Sequence, residues 1–500
     1  MTGLGLFGII ASLVLLILLA YRGINVMILA PICALFATVL AGAPILATYT
    51  QVFMPALGKF ATTYFPLFML GAVFGKLMDD SGAARRIAES IVGAIGAHRA
   101  ILAITLSCAI LTYGGVSLFV VAFAVFPIAA AMFREAHLPK RLIPATIALG
   151  SFTFTMTALP GTPAIQNAIP APYFGTTAFA APGLGTIAGL IMFGGGIAWL
   201  TYRAKQAGKA GEGYDDGPLM RPVPKTGRRM RDTLAAGEAK PGSETHHGLD
   251  PAPGRESEVV EIPPIGNPMP TWLAYVPVVL VIAVNWVMVN QVIPAMNTDY
   301  LAEKLYGAAK ITDVKGIWGI IVALVAAIVF MLVVHWRRYA DRKKTLNEGT
   351  MGSLLPIFNT ASEVGYGAVI AALPAFIIVR DAVLGVSGNP AISTAVAVNV
   401  LAGITGSASG GMSIALQALG TELAASAQAQ GISMDLMHRI AALSSGGMDA
   451  LPHNGAVITL LAITGLTHRQ SYKDIGMVAV VIPVTAIVVV LLLASTVGTF

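Results

Sequence analysis

Residues 450–455, Ala450-Leu451-Pro452-His453-Asn454-Gly455, stand in the middle of an apolar run that covers residues 437–467. Proline cannot donate to a helix ladder, and at membrane depth an unwound backbone survives only where protein buries it or it lines a wet cavity. The same kind of interruption recurs three times. Leu111-Thr112-Tyr113-Gly114-Gly115-Val116-Ser117 breaks the run 100–133, Ala158-Leu159-Pro160-Gly161-Thr162-Pro163 breaks 142–174, and Ile404-Thr405-Gly406-Ser407-Ala408-Ser409-Gly410-Gly411 breaks 390–424. Thr112 and Thr405 lie 293 residues apart and Pro160 and Pro452 lie 292 apart. Breaks matched at one offset mark a duplicated unit. Arg141 and Arg439, each between the two breaks of its half, are a looser match at 298.

Outward from the breaks, the whole chain has the composition of a membrane protein. Its 500 residues are 11% charged and 56% hydrophobic, with a mean hydropathy of +0.76, whereas a soluble domain carries roughly 25% charged residues. A helix needs about 20 apolar residues to cross hydrocarbon. Such windows fall at 4–21, 24–43, 62–78, 100–133, 142–174 and 177–201, and again at 271–293, 315–335, 362–386, 390–424, 437–467 and 474–497. The N-terminus lacks the basic start and small-residue cleavage site of a signal peptide and reads as the first permanent span.

Between the two sets, residues 203–268 collect 10 of the 31 Lys/Arg and nine prolines from Pro218 to Pro268. That composition predicts a flexible linker and three parts: an N-terminal repeat over 1–202, a cytoplasmic linker over 203–268 and a C-terminal repeat over 269–500. The net charge of +6 is spread over loops, which argues against nucleic acid as a partner. Cys33 and Cys108 sit in apolar runs and form no disulfide or metal-thiolate pattern.

Basic residues in short loops mark the cytoplasmic side. Arg22, Lys76, Arg85 and Arg86, then Arg203 and Lys205, and finally Arg337 through Lys344 put the N-terminus outside. The first three spans then run opposite to spans 271–293, 315–335 and 362–386, so the halves are predicted to be inverted relative to each other. Inverted repeats with paired breaks imply a polar site near the midplane, the geometry of a secondary transporter. Half-helix N-termini would face an anion there, and unwound carbonyls a cation.

Within the breaks, Thr112, Ser117, Thr405, Ser407 and Ser409 supply hydroxyls, and Gln166, Asn167 and Asn454 supply amides suited to a hydroxy acid. Gly114, Gly115, Gly161 with Thr162, and Gly410 complete the predicted substrate-binding set. His453 titrates in the physiological range and is the sharpest candidate to carry a proton or meet a carboxylate. Asp449, four residues earlier, is placed to pair with it, and Glu363 is an acid at the start of an apolar span; these three are the candidate ion-coupling residues. Arg380-Asp381 and Lys76 with Asp79-Asp80 read as local ion pairs. No Walker sequence, nucleophile elbow or zinc spacing is present, so no catalytic, metal or cofactor site is expected. A membrane-embedded hydrolase using Ser444 or Ser445 with His453 and Asp449 is the rival reading.

The segments Phe74-Gly75-Lys76-Leu77-Met78-Asp79-Asp80-Ser81-Gly82-Ala83-Ala84-Arg85-Arg86-Ile87-Ala88, Leu159-Pro160-Gly161-Thr162-Pro163 and Ser445-Gly446-Gly447-Met448-Asp449-Ala450-Leu451-Pro452-His453-Asn454-Gly455 resemble the gluconate:proton symporter (GntP-type) permease family. The resemblance spans nearly all of both halves. It implies an all-α polytopic protein of the bacterial inner membrane with two inverted repeats, each holding a re-entrant hairpin and a broken transmembrane helix. Hairpin tips would fall at 112–117 and 405–411 and helix breaks at 159–163 and 451–455. It further implies an elevator-type proton symporter for gluconate or a shorter hydroxy acid, working as a homodimer. A sodium-coupled carrier of 3-hydroxybutyrate or lactate is the alternative.

Overall fold

A computed structural model describes residues 2–21, 25–214, 269–452 and 454–500. The described residues form helices and connecting turns, with no strand among them. Helices α1 (Thr2–Tyr21) and α2 (Val26–Leu40) pack together, and the Asn25 side chain caps α2 by accepting from the Met27 amide at 2.9 Å. A π-turn at Tyr49–Phe53 leads into α3 (Met54–Asp80), followed by α4 (Ala83–Ile95). Two arms, α5 (Ala100–Tyr113) and α6 (Leu118–Glu135), come next. Then α7 (Ile143–Ser151) gives way to single turns at Phe154–Thr157, Ile165–Ala168 and Ala171–Phe174 before α8 (Pro182–Lys209).

The second half follows. It holds α9 (Thr271–Val287), α10 (Ile311–Val334), α11 (Arg342–Met351), α12 (Leu354–Ala372) and α13 (Phe376–Leu384). The arms α14 (Pro390–Thr405) and α15 (Ala408–Ala429) follow, then α16 (Met434–Ser445) and α17 (Gly455–Thr464). The last stretch joins α18 (His468–Gly476) to α19 (Ile482–Thr496) through a π-turn. Ala100 and Pro390, and likewise Leu118 and Ala408, are helix starts 290 residues apart.

Five described helical stretches are long and apolar enough to cross a membrane: Ile45–Asp80, Pro182–Lys209, Thr271–Ala295, Val314–Val334 and His468–Thr496. Their outward faces carry bare hydrocarbon, with Leu190 at 64% and Val333 at 69% exposure. Water would not tolerate a surface of this kind over so many helices; lipid would. The chain is therefore a multi-pass membrane protein.

Two expectations need correction. The apolar stretch 362–386 is not one continuous helix: α12 ends at Ala372 and the chain bends by 100° into α13. Pro374 is the cause, because it disfavours the helical region for the residue before it, and Leu373 is extended at ψ 137°. The break expected at 158–163 is also longer, starting at Phe152. Thr153 Oγ1 donates to the Leu149 carbonyl at 2.6 Å and Thr155 Oγ1 to that of Gly150 at 2.8 Å, while Pro160, Pro163 and Pro170 withhold amides from any ladder. At the other boundary, α8 carries helix through residues 203–209, the first part of the expected linker. Residues 215–268, and Arg22 among the orientation signals, lie outside the described residues.

Candidate functional site

The tip between α5 and α6 is closed by backbone. The Gly115 amide donates to Thr112 O at 2.9 Å and that of Val116 to Leu111 O at 3.1 Å, and Gly115 turns the chain at φ +92°, a conformation natural to glycine. Tyr113 donates its phenol to the Pro160 carbonyl at 2.7 Å, so this tip rests on the first long break. A Cβ at Gly115 would lie 2.8 Å from Pro163 Cγ. Thr112 is buried with its Oγ1 unpartnered among the described residues, and Ser117 is half-buried. From outside the hairpin, Asn285 of α9 donates to the Gly161 carbonyl at 3.4 Å.

The tip between α14 and α15 narrows to Gly406 and Ser407. Gly406 ends α14 in the left-handed region at φ +63°, and Ser407 caps α15 by accepting from the Gly410 amide at 3.0 Å. Gly411 lets the arms touch, since a Cβ there would run into the backbone of Ala402. Asn454 does two jobs. Its Oδ1 caps α17 through the Val457 amide at 2.9 Å, and its Nδ2 donates to the Gly406 carbonyl at 2.8 Å. Thr405 Oγ1 bonds back to Leu401 O at 2.9 Å, and Ser409 Oγ lies 3.4 Å from Thr360 Oγ1 of α12. Glu363, one turn further along α12, is 3% exposed and reaches Ser407 and Gly410.

The second broken helix is inserted into the first. Arg439 of α16 is fully buried, and its guanidinium meets backbone carbonyls: Nε to Ala180 O at 3.0 Å, Nη2 to Ala180 O at 2.7 Å and Ala178 O at 3.2 Å, and Nη1 to Thr157 O at 3.5 Å. Nη1 also donates to Asn167 Oδ1 at 3.2 Å. Beside it, His438 places Nε2 3.3 Å from that same Oδ1 and Nδ1 2.6 Å from Thr176 Oγ1. Asn167 Nδ2 closes the knot on Ala178 O at 2.8 Å and Thr162 O at 3.2 Å. A buried guanidinium is tolerable when dipoles replace its water; here carbonyls do so.

Of the predicted residues, Thr405, Ser407, Ser409, Gly410, Asn454 and Glu363 thus gather around the second tip, while Gly114, Gly115, Gly161, Thr162 and Asn167 belong to the first tip and its break. Gln166 is buried next to Asn167, and Ser117 stands at the start of α6. Asp449 is buried with Oδ1 unpartnered among the described residues. His453 lies outside the described residues. Ser444 and Ser445 are fully buried, and the Ser445 hydroxyl is spent on the Ala442 carbonyl at 2.7 Å. Sequence reasoning missed Tyr113, Asn285 and His438, and it noted Arg439 only as a spacing match. The available signal was a polar side chain inside an apolar run.

Beside the end of α8, Arg141 grips Glu212 with two bonds of 2.7 and 2.9 Å and Asp474 with one of 3.0 Å. Asp474 also accepts from Arg203 at 2.8 Å and Trp199 at 3.0 Å. The two arginines matched by spacing therefore serve different purposes: Arg141 joins an ion network, whereas Arg439 is held by carbonyls. The expected local pairs are present, Lys76 with Asp80 at 3.0 Å and Arg380 with Asp381 at 2.8 Å. Lys76 additionally bridges to Glu348 of α11 at 3.0 Å.

Two comparisons bear on this arrangement. Residues 4–193 match the model of the GntP family permeases. Over 473 residues the chain is 45% identical to the Bacillus subtilis (strain 168) protein named uncharacterized transporter YxjC, a match covering 93% of this chain and 94% of that one.

Proposed function

Because this chain belongs to the GntP family of permeases, we propose that it is a secondary transporter that imports a small organic monocarboxylate, gluconate or a shorter hydroxy acid, together with a proton. The supporting observation is the pairing of breaks: Tyr113 ties one tip to Pro160, Asn454 ties the other to Gly406, and Arg439 and Asn167 join the halves. Helix N-termini at Ala408 and Gly455 lie beside these joints and suit an anion through their free amides and dipoles. Hydroxyls of Thr405, Ser407 and Ser409 and the amide of Asn454 replace its water. Glu363, Asp449 and His453 are the coupling groups, and a proton riding with the anion lowers the cost of crossing lipid.

In this reading the helix starts matched at 290 residues reflect two inverted repeats. The two hairpins and broken helices slide as one elevator body against α1–α3 and α9–α12, in a homodimer of the bacterial inner membrane. Proteoliposomes containing the full chain test the function. With an inward proton gradient, labelled gluconate or 3-hydroxybutyrate should accumulate, and a protonophore should abolish the accumulation. Accumulation that follows a sodium gradient instead would replace the proton with sodium. Turnover of an ester in detergent with no uptake of either acid would overturn the proposal in favour of a hydrolase.

A further inference from the structure

The helix that starts at the second tip, α15, runs for 22 residues from Ala408. Its first-turn amides have no carbonyl within the helix, and its dipole presents positive charge at that end. Ser407 satisfies the Gly410 amide, and the side chain next in line is Glu363. Its Oε2 lies where a Cβ on Gly410 would stand, so only glycine admits the carboxyl this close. That oxygen is buried and has no hydrogen-bond partner among the described residues, on a residue 3% exposed. Glu363 belongs to α12, outside both hairpins, yet its carboxyl stands against Gly410 in the first turn of α15 and beside the Ser407 cap.

We infer that Glu363 and the carboxylate of the transported acid compete for the N-terminus of α15, so that the anion binds there only after Glu363 has accepted a proton. This deepens the transporter reading and rests on it. Two carboxylates at one helix end repel each other strongly. Protonation turns Glu363 from a competitor into an O–H donor, and the proton stays on its carboxyl as the anion arrives. The loaded site then holds one proton and one anion with no added net charge, and occupancy by either partner favours the other reciprocally.

Charged neighbours do not supply the switch. On the elements packed against α12, Lys76 and Asp80 of α3 and Glu348 of α11 pair with one another, as do Arg380 and Asp381 of α13. Lys59 and Asp79 of α3, Arg342, Lys343 and Lys344 of α11 and Glu422 of α15 form no ion pair with Glu363 among the described residues. Cys33 of α2, Tyr49 of the π-turn and Tyr64 of α3 are the other titratable groups on those elements; Tyr64 donates to the Ile169 carbonyl at 3.3 Å, and Tyr366 of α12 is bonded to Ser12 at 2.9 Å.

The test is carboxylate binding by the purified full-length protein between pH 6 and pH 8.5, with gluconate and 3-hydroxybutyrate as probes. Wild-type affinity should weaken toward tenfold per pH unit at the alkaline end, as expected for one linked proton. In E363Q the slope should vanish, with exchange of labelled probe across proteoliposomes retained and uphill accumulation lost. Should E363Q not fold, E363D withdraws the carboxylate by one methylene and should bind the probe more tightly than wild type at pH 8.5. A slope kept in E363Q, or unchanged alkaline affinity in E363D, overturns the competition while leaving the transporter reading standing. Absence of binding by the wild type at every pH overturns both.

Discussion

Arg439 donates to Asn167 Oδ1 at 3.2 Å across 272 residues of chain, and that bond is the hub through which the two broken helices hold each other. The same guanidinium covers the carbonyls of Thr157, Ala178 and Ala180. Gly185 of α8 leaves the room it needs, since a Cβ there would lie 3.1 Å from Arg439 Nε and 2.5 Å from Ala158 O. Arg439→Leu strands several buried acceptors, a loss of about 3–5 kcal/mol for a broken buried charge contact. Arg439→Lys should recover only part of it, because an ammonium cannot spread over a fork of acceptors. Thermal unfolding in detergent measures both, and a double-mutant cycle with Asn167→Ala should show coupling above 0.5 kcal/mol.

The ion network around Asp474 gives a second expectation. Asp474 is 1% exposed and serves Arg141, Arg203 and Trp199 at once. Asp474→Ala leaves two cations short of a partner and should destabilise by about 3 kcal/mol. Glu212→Gln keeps the shape and should cost less, since Glu212 is held by Arg141 alone among the described ion pairs. Melting temperatures of the two variants rank the effects.

At the second tip, Gly411→Ala would drive a methyl into the Ala402 backbone. Overpacking between two helix arms costs about 1–3 kcal/mol, and the tip would splay, so uptake should fall along with stability. Gly455→Ala at the start of α17 meets nothing within 4 Å and serves as the control, with a melting temperature at or slightly above wild type.

His335, just beyond the span Val314–Val334, is buried with neither ring nitrogen partnered among the described residues. Burial, aided by the positive charge of Arg338, pushes its pKa down from 6.5 to about 4. Between those values the unfolded chain binds the proton and the folded chain does not. Its contribution is therefore complete above pH 6.5 and lost as the pH falls toward 4, a change on the order of 1–3 kcal/mol. In His335→Phe the acid-side drop in melting temperature between pH 7 and pH 4.5 should be visibly smaller. An identical drop in both proteins would assign it to other groups.

The four interruptions were legible because each is a local event. Gly115 and Gly406 adopt left-handed backbone, Pro160 and Pro163 lack amides, and these constraints act wherever the residue stands in the chain. Local rules also hid some features. The Pro374 bend was passed over because Leu, Ile and Val on both sides kept the stretch apolar. Glu363 was visible as an acid in an apolar span, but its neighbour Gly410 lies on another helix.

Composition, apolar windows and helix breakers thus established a helical membrane protein with paired unwound segments, since hydrophobic transfer and backbone sterics are properties of a residue and its immediate neighbours. Which carbonyls Arg439 covers, which tip Asn454 holds and which helix end Glu363 occupies were decided by packing. These contacts join residues 47 to 282 positions apart, and side-chain geometry at that separation exists only once the helices have assembled.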